Sequence, residues 1–198
     1  MSKPKIGARQ FAQLSMLTGQ QKAQKAVDLL NMAEYSPAKD HYKKAREAIK
    51  EIHKNSFASN LPLENAAKSV HPKKINTHVA VLGGWNKWIK KQKDIKSAPT
   101  ISDTLPLETF DLHANPEIAI TDGEGKTRQI KLYLQQAQLK KETASMCIHL
   151  MKKILGEEKE ITVLDVMRGK EFFFTGNKRF YEIALNAEIR YLESISKA

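Results

Sequence analysis

The sequence predicts an α+β fold, with a helical N-terminal half packed on a small, mainly antiparallel sheet. Two observations carry this. Apolar residues recur at helical spacing through most of residues 8–93, then alternate at strand spacing through 109–134 and 161–175. Each alternating stretch is broken by a Gly-containing turn and followed by a helical pattern, which gives the order hairpin, helix, hairpin, helix.

Each element has a local reason. Residues 8–34 read as helix. Phe11, Leu14 and Leu17 open an apolar stripe, Gly19 interrupts it, and Ala23, Ala26, Val27, Leu30 and Ala33 continue it. A second helix starts at Ser36-Pro37, because Ser accepts from first-turn amides and Pro suits the first helical position. Tyr42, Ala45, Ile49 and Ile52 form its buried face, and Lys43, Lys44, Glu47, Lys50 and Lys54 its wet one. Residues 55–72 read as loop. A third helix spans Lys73–Lys93 on Ile75, Val79, Leu82 and Ile89. Gly83-Gly84 weakens it, each Gly costing about 1 kcal/mol relative to Ala, or else marks a break with a new helix at Trp85.

Residues 94–106, with Pro99, Pro106 and several Ser and Thr, read as a linker. Thr109–Thr121 and Thr127–Leu134 read as strands joined by Asp122-Gly123-Glu124-Gly125-Lys126, which is turn chemistry. A helix from Leu139 to Leu155 carries Ala144, Cys147, Leu150, Met151 and Ile154 on one face and stops at Gly156. Ile161–Met167 reads as a buried strand, Arg168-Gly169-Lys170 as a turn and Glu171–Thr175 as its return. The last helix, Lys178–Ser196, is capped by Asn177 and striped by Phe180, Ala184, Ala187, Tyr191 and Ile195. The organisation expected is a basic helical region (1–93), a linker (94–106) and an α+β region (107–198), together one compact unit.

Composition narrows the function classes. Of 198 residues, 41% are hydrophobic and 28% charged, enough for a core, which excludes a wholly disordered basic tail. No stretch approaches the roughly 18 apolar residues of a membrane span. MSKPKIGARQ has no apolar run behind its charges and so does not read as a signal peptide. The single cysteine, Cys147, excludes an internal disulfide and a Cys-rich zinc site. A cytoplasmic protein is the plain reading, and no oligomeric state follows from the sequence. The net charge of +11 is uneven: residues 1–60 carry +6, 61–100 carry +6, 101–136 carry −3 and 137–198 carry +2. A basic half of this kind suits phosphate backbones, so DNA or RNA is the expected partner. The competing explanation is solubility, with protein partners, since Lys greatly outnumbers the better phosphate fork, Arg.

Three segments carry candidate chemistry. The first is the central hairpin. Alternation places Ile118 and Ile120 on one face, with Ile130, Leu132 and Leu134. Glu117, Gln129, Lys131 and Tyr133 point the other way, and a turn centred near Glu124 sets Glu117 opposite Lys131. The plain alternative is a cross-strand Glu–Lys pair on a solvated face, worth a few tenths of a kcal/mol. The second is Asp165, the one carboxylate in the apolar run Ile161–Met167. Burial of a carboxylate demands a partner or a metal, supplied either by the patch of Glu117 or by the Arg168-Gly169-Lys170 turn. The third is Trp85-Asn86-Lys87-Trp88-Ile89-Lys90-Lys91, the densest part of a basic cluster with Lys73, Lys74, Lys93 and Lys96. Aromatics among lysines stack on bases while ammoniums meet phosphates; two core-facing tryptophans are the alternative. Gly125-Lys126-Thr127 lacks the first Gly of a phosphate-binding loop, and the six histidines lack ligand spacing.

Asn115-Pro116-Glu117 followed by Gln129-Ile130-Lys131 resembles the core motif of PD-(D/E)XK nucleases across roughly residues 108–167. So does the order helix, hairpin, helix, strand. The resemblance implies Glu117 as first metal ligand, Gln129 in the place of the second acid, Lys131 as the water-orienting lysine, and Mg²⁺ or Mn²⁺ as cofactor. Asp165, on the reading that it faces the patch of Glu117, is a further candidate metal ligand. Glu47 or Glu51 would supply the helix acid. Gln129 departs from the pattern, because an amide oxygen carries no charge for a hard cation. The whole chain also resembles an uncharacterised bacterial protein family. That likeness rests on Tyr35-Ser36-Pro37-Ala38-Lys39-Asp40, Asn115-Pro116-Glu117, Ile130-Lys131-Leu132-Tyr133 and Leu164-Asp165-Val166-Met167-Arg168-Gly169-Lys170, and it implies no activity.

Overall fold

Period-two apolar patterning and long amphipathic runs resolve into an α+β fold in a computed structural model that describes residues 3–31 and 40–197. In chain order the elements are β1 (Lys5–Gly7), α1 (Ala8–Leu14), α2 (Gly19–Leu30), α3 (Lys43–Lys54), α4 (Leu61–Lys68), α5 (Ile75–Ile89), β2 (Lys96–Ser97), β3 (Asp103–Pro106), β4 (Asp111–Ala114), β5 (Ile118–Thr121), β6 (Thr127–Tyr133), α6 (Lys141–Leu155), β7 (Glu160–Asp165), β8 (Lys170–Phe172) and α7 (Lys178–Ser196). One sheet has the order β1-β4-β3 and the other β2-β5-β6-β7-β8. Both are mixed. The two predicted hairpins, β5–β6 and β7–β8, are antiparallel, but β6 and β7 run parallel with α6 as their crossover, and β1 runs parallel to β4.

The five-stranded sheet separates two cores. Ile118, Ile120, Ile130, Leu132 and Leu164 face α3, α4 and α5, where Ala45, Ile49, Ile52, Leu63, Val81, Trp85 and Trp88 are buried. Tyr133, Ile161 and Val163 face the other way, against α6, α1 and α7. Phe11 and Leu14 of α1 are fully buried in that second core, each contributing roughly 1.5–3 kcal/mol. The face predicted for α3 is the observed one. The imidazole of His53 on α3 also lies 2.7 Å from the Ala119 carbonyl oxygen and anchors that helix over β5.

Several elements differ from the sequence reading. The 8–34 helix is two helices, because Gly19 takes φ +56° and Thr18 is extended. Ala33 and the Ser36-Pro37 start lie outside the described residues. The 55–72 loop contains α4, with Pro62 in its first turn and Leu63, Ala66 and Ala67 buried. The 94–106 linker supplies β2 and β3, and the 109–121 strand is two strands in different sheets, parted at Asn115-Pro116-Glu117.

Helix α5 runs unbroken through Gly83-Gly84. A Cβ on Gly84 would stand 1.9 Å from the Val166 carbonyl oxygen, so this glycine permits the helix to cross directly over a 3-10 turn at Val166–Arg168. That contact sets the rotation of α5. Its buried face is Thr77, His78, Val81, Gly84, Trp85 and Trp88, whereas Ile75 and Val79 are exposed. α7 is likewise turned from its predicted stripe. Leu185, Glu188 and Leu192 are buried, and Phe180, Ala184 and Ala187 face solvent. α6 is buried all round from Thr143 to Met151, between the sheet and α1 and α7. Cys147 lies inside it, and burial pushes its thiol pKa up to about 12.

Candidate functional site

The β5–β6 register pairs Ile118 with Ile130, which sets Glu117 opposite Lys131 as the turn length predicts. The pair is buried rather than solvated: the side chains of Lys131 and Glu117 retain 8% and 9% of their exposure. Lys131 Nζ donates to Glu117 Oε1 at 2.8 Å, to Asn115 Oδ1 at 2.8 Å and to the Asn115 carbonyl oxygen at 2.9 Å. Glu117 Oε2 accepts from the Leu132 N–H at 2.8 Å. All three ammonium protons and both carboxylate oxygens are therefore used, which is how a buried ion pair offsets its desolvation.

The remaining residues of the motif go elsewhere. Gln129 is buried on the same face, but its amide donates to the Pro99 carbonyl at 3.1 Å and accepts from the Ile101 N–H at 3.2 Å. It clamps the 99–101 segment to the sheet. Glu47 and Glu51 are exposed on α3, which packs on the opposite face of the sheet. Asp165 is fully buried on the Lys131 face, opposite Tyr133 in the ladder. It accepts from the Leu139 N–H at 3.2 Å and from Arg168 Nη1 at 3.2 Å, so its partners come from the following turn and the approach to α6. Burial and then the Asp165 charge raise the phenol pKa of Tyr133. Among the described residues no three His, Cys, Asp or Glu side chains converge in a way that would hold a metal ion. The donor set around Glu117 thus does not fit Mg²⁺ or Mn²⁺: one carboxylate is saturated, one amide is committed, and an ammonium stands where a cation would sit.

The tryptophans of the basic cluster are core residues. Trp85 is 0% and Trp88 1% exposed, and their indole N–H groups donate to Asn60 Oδ1 and Glu171 Oε2. Neither ring face is open to a base, which corrects the stacking expectation for Trp85 and Trp88. The lysines remain on the surface: Lys73, Lys87, Lys90, Lys91 and Lys93 are exposed and Lys74 half-buried.

Two of these lysines meet cations from a distant part of the chain. Lys87 and Lys91, one helical turn apart, line a cavity of about 560 Å³ with Arg168 from the turn beyond β7 and Lys170 at the start of β8. Trp88, Gln92, Gln138, Gly169 and Glu171 complete it. Glu171 is the one acid there. Its Oε1 accepts from Arg128 Nε at 3.0 Å and from the Thr162 hydroxyl at 2.7 Å, and its Oε2 accepts from Trp88. In sequence Arg168-Gly169-Lys170 reads as a turn, and no signal local to it joins it to α5, some 80 residues earlier. The available signal was Gly83-Gly84, a mark of close helix approach rather than of a break. This cavity lies beside the α5-facing core, whereas Glu117 and Lys131 face α6.

No family model matches the chain, and no curated protein matches it. Among solved structures it is similar to "Crystal structure of SSO0001", with a TM-score of 0.37 and 8% sequence identity, over 96% of this chain and 78% of that one. A likeness of this size carries no argument about function.

Proposed function

We propose that this chain associates with nucleic acid through phosphate contacts made by α5 and the Arg168–Lys170 turn, without metal-dependent chemistry. The observation that carries the reading is that Lys87 and Lys91, exposed and in no ion pair among the described residues, line one cavity with Arg168 and Lys170, next to exposed Lys90 and Lys93. Of the four cavity cations, Arg168 alone forms an ion pair among the described residues. Uncompensated ammoniums at this density attract polyanions. With the indoles buried, stacking on Trp85 and Trp88 contributes nothing, and binding is through the backbone and blind to sequence.

A PD-(D/E)XK-type nuclease, active or degenerate, is the second reading. It is favoured by the direct opposition of Glu117 and Lys131 and by the order α5, β5–β6 hairpin, α6, β7. The saturated Glu117–Lys131 pair and the committed Gln129 weigh against activity and suit a closed site.

The test is fluorescence-anisotropy binding to single- and double-stranded DNA and RNA at low and high salt, with and without Mn²⁺, and the products run on a gel. Expected is salt-sensitive binding without cutting. A Lys87→Glu/Lys91→Glu variant should flatten the log–log salt slope by about 2. Mn²⁺-dependent cutting that is lost in Glu117→Ala and Lys131→Ala would install the nuclease reading instead. No binding at low salt would overturn both and leave a protein-interaction module.

A further inference from the structure

We infer that the cavity between α5 and the Arg168–Lys170 turn binds a multiply charged phosphoryl group: the phosphorylated end of a nucleic-acid strand or the phosphates of a free nucleotide. The inference rests on the nucleic-acid reading above and names the group that the basic face grips. At about 560 Å³ the cavity falls in the size range of small-ligand sites. Its walls come from two elements held together by facing glycines. A Cβ on Gly169, at φ +57°, would stand 2.5 Å from the Gly84 carbonyl oxygen, and one on Gly84 would stand 1.9 Å from that of Val166. Only with both side chains absent does the turn at 166–169 come up beside Lys87.

The charge left over is specific. Glu171 is filled by Trp88, Arg128 and Thr162, and Arg128 offsets its charge, so it does not quench the lysines. The Lys170 ammonium lies 4.7 Å from the centroid of the Phe172 ring, on the Asp165 face of the sheet, and Arg168 is held by Asp165 and the Gln136 carbonyl, which leaves Lys87 and Lys91 as the free charges of the cavity. One phosphodiester carries a single negative charge, too little for two free ammoniums around one space. A terminal phosphate carries about −1.5 to −2, and a nucleotide di- or triphosphate more. Trp88 offers no open face, so the site reads phosphate rather than base.

The test uses the full chain and a single-stranded oligonucleotide labelled internally, with a 5′-phosphate, a 3′-phosphate or hydroxyl ends, in competition with ATP and inorganic pyrophosphate. A phosphorylated end should tighten binding about tenfold, the scale of a charge-assisted contact. Lys87→Glu and Lys91→Glu, both at exposed positions, should each abolish that preference, and Lys54→Glu on α3 should keep it, with circular dichroism confirming the fold. Loss of the preference on adding ATP assigns free nucleotides as ligands too; its persistence in ATP assigns strand ends alone. Equal affinity for phosphorylated and hydroxyl ends, without ATP competition, overturns the inference and leaves the backbone reading standing. A preference that survives both cavity variants also overturns it. Failure of every strand to bind, together with failure of ATP, overturns both.

Discussion

Replacing Gly84 by alanine isolates the contact on which the cavity depends. The added methyl would stand 1.9 Å from Val166 O, 2.4 Å from Met167 C and 2.5 Å from Met167 O. These are backbone atoms, so no side chain can swing aside, and helix and turn must part by about 1.5 Å to reach ordinary contact at 3.4 Å. Overpacking of this kind costs about 3 kcal/mol, against a gain of about 1 kcal/mol in helix propensity. The net loss is about 2 kcal/mol, or a fall of roughly 4–8 °C in Tm for a chain of this length. Gly83, one residue earlier, has nothing within 4 Å of its would-be Cβ. Gly83→Ala therefore keeps the propensity gain and should raise Tm by roughly 2–4 °C. Urea and thermal unfolding followed through Trp85 and Trp88, which lie on the same helix, measure both changes. Gly84→Ala should in addition weaken phosphoryl binding, because the turn that closes the cavity on Lys87 and Lys91 is pushed off α5. A Gly84→Ala protein as stable as the parent would refute the crossing of α5 over Val166–Arg168.

Three further expectations concern buried groups. Lys131→Met leaves the Glu117 carboxylate buried with one backbone donor and should cost about 3–5 kcal/mol in urea unfolding; adding Glu117→Gln should return much of that. A single variant within about 0.5 kcal/mol of the parent would mean that the pair is solvated. His78 is fully buried; desolvation, with the nearby charges of His41, Lys74 and Lys44, lowers its pKa. The unfolded chain then takes up a proton that the folded one refuses. The His78 contribution to stability is complete above about pH 6.5 and is lost as pH falls through the lowered folded value. Stability measured from pH 7.5 to 5 should fall less steeply in His78→Gln, and an unchanged slope would exclude this histidine as the cause. Cys147, with its thiol pKa near 12 and no exposure to speak of, should ignore a disulfide-exchange reagent until the protein unfolds; prompt labelling of the folded chain would contradict its placement in α6.

What could be read from sequence was local. A turn of known length fixes which residues oppose each other, so Glu117 and Lys131 were paired from the chain alone. A strongly two-sided helix such as α3 declares its buried face. The errors arose where tertiary packing overrides local pattern. α5 buries His78 and Gly84 and exposes Ile75 and Val79, because a close crossing at glycine outranks the burial of one more aliphatic side chain. α7 buries Glu188, matched by Lys22 of α2 at 2.6 Å, and leaves Phe180 in solvent. The candidate site was half legible. The lysines of α5 were visible as a cluster, but the turn that closes the cavity with them is remote in sequence, and no local rule links the two. The same limit hid the Gln129 clamp, whose partners are backbone groups of a segment that reads as linker.

The parallel ladder between β1 and β4 bears on the order in which the molecule is built. Ile6 pairs with Leu112, across more than a hundred residues of intervening chain. On a ribosome adding about 5–20 residues per second, β1 waits roughly 5–20 s for its partner to be made. Throughout that interval Ile6, Phe11 and Leu14, all fully buried at the end, have no β4 and no α6 to cover them. The core around α3, α4 and α5 is completed in turn only when β5, β6 and β7 emerge. Both halves of the molecule therefore close late and nearly together. A nascent chain stalled before residue 111 would expose two unfinished apolar faces at once, a natural substrate for a chaperone at the tunnel exit.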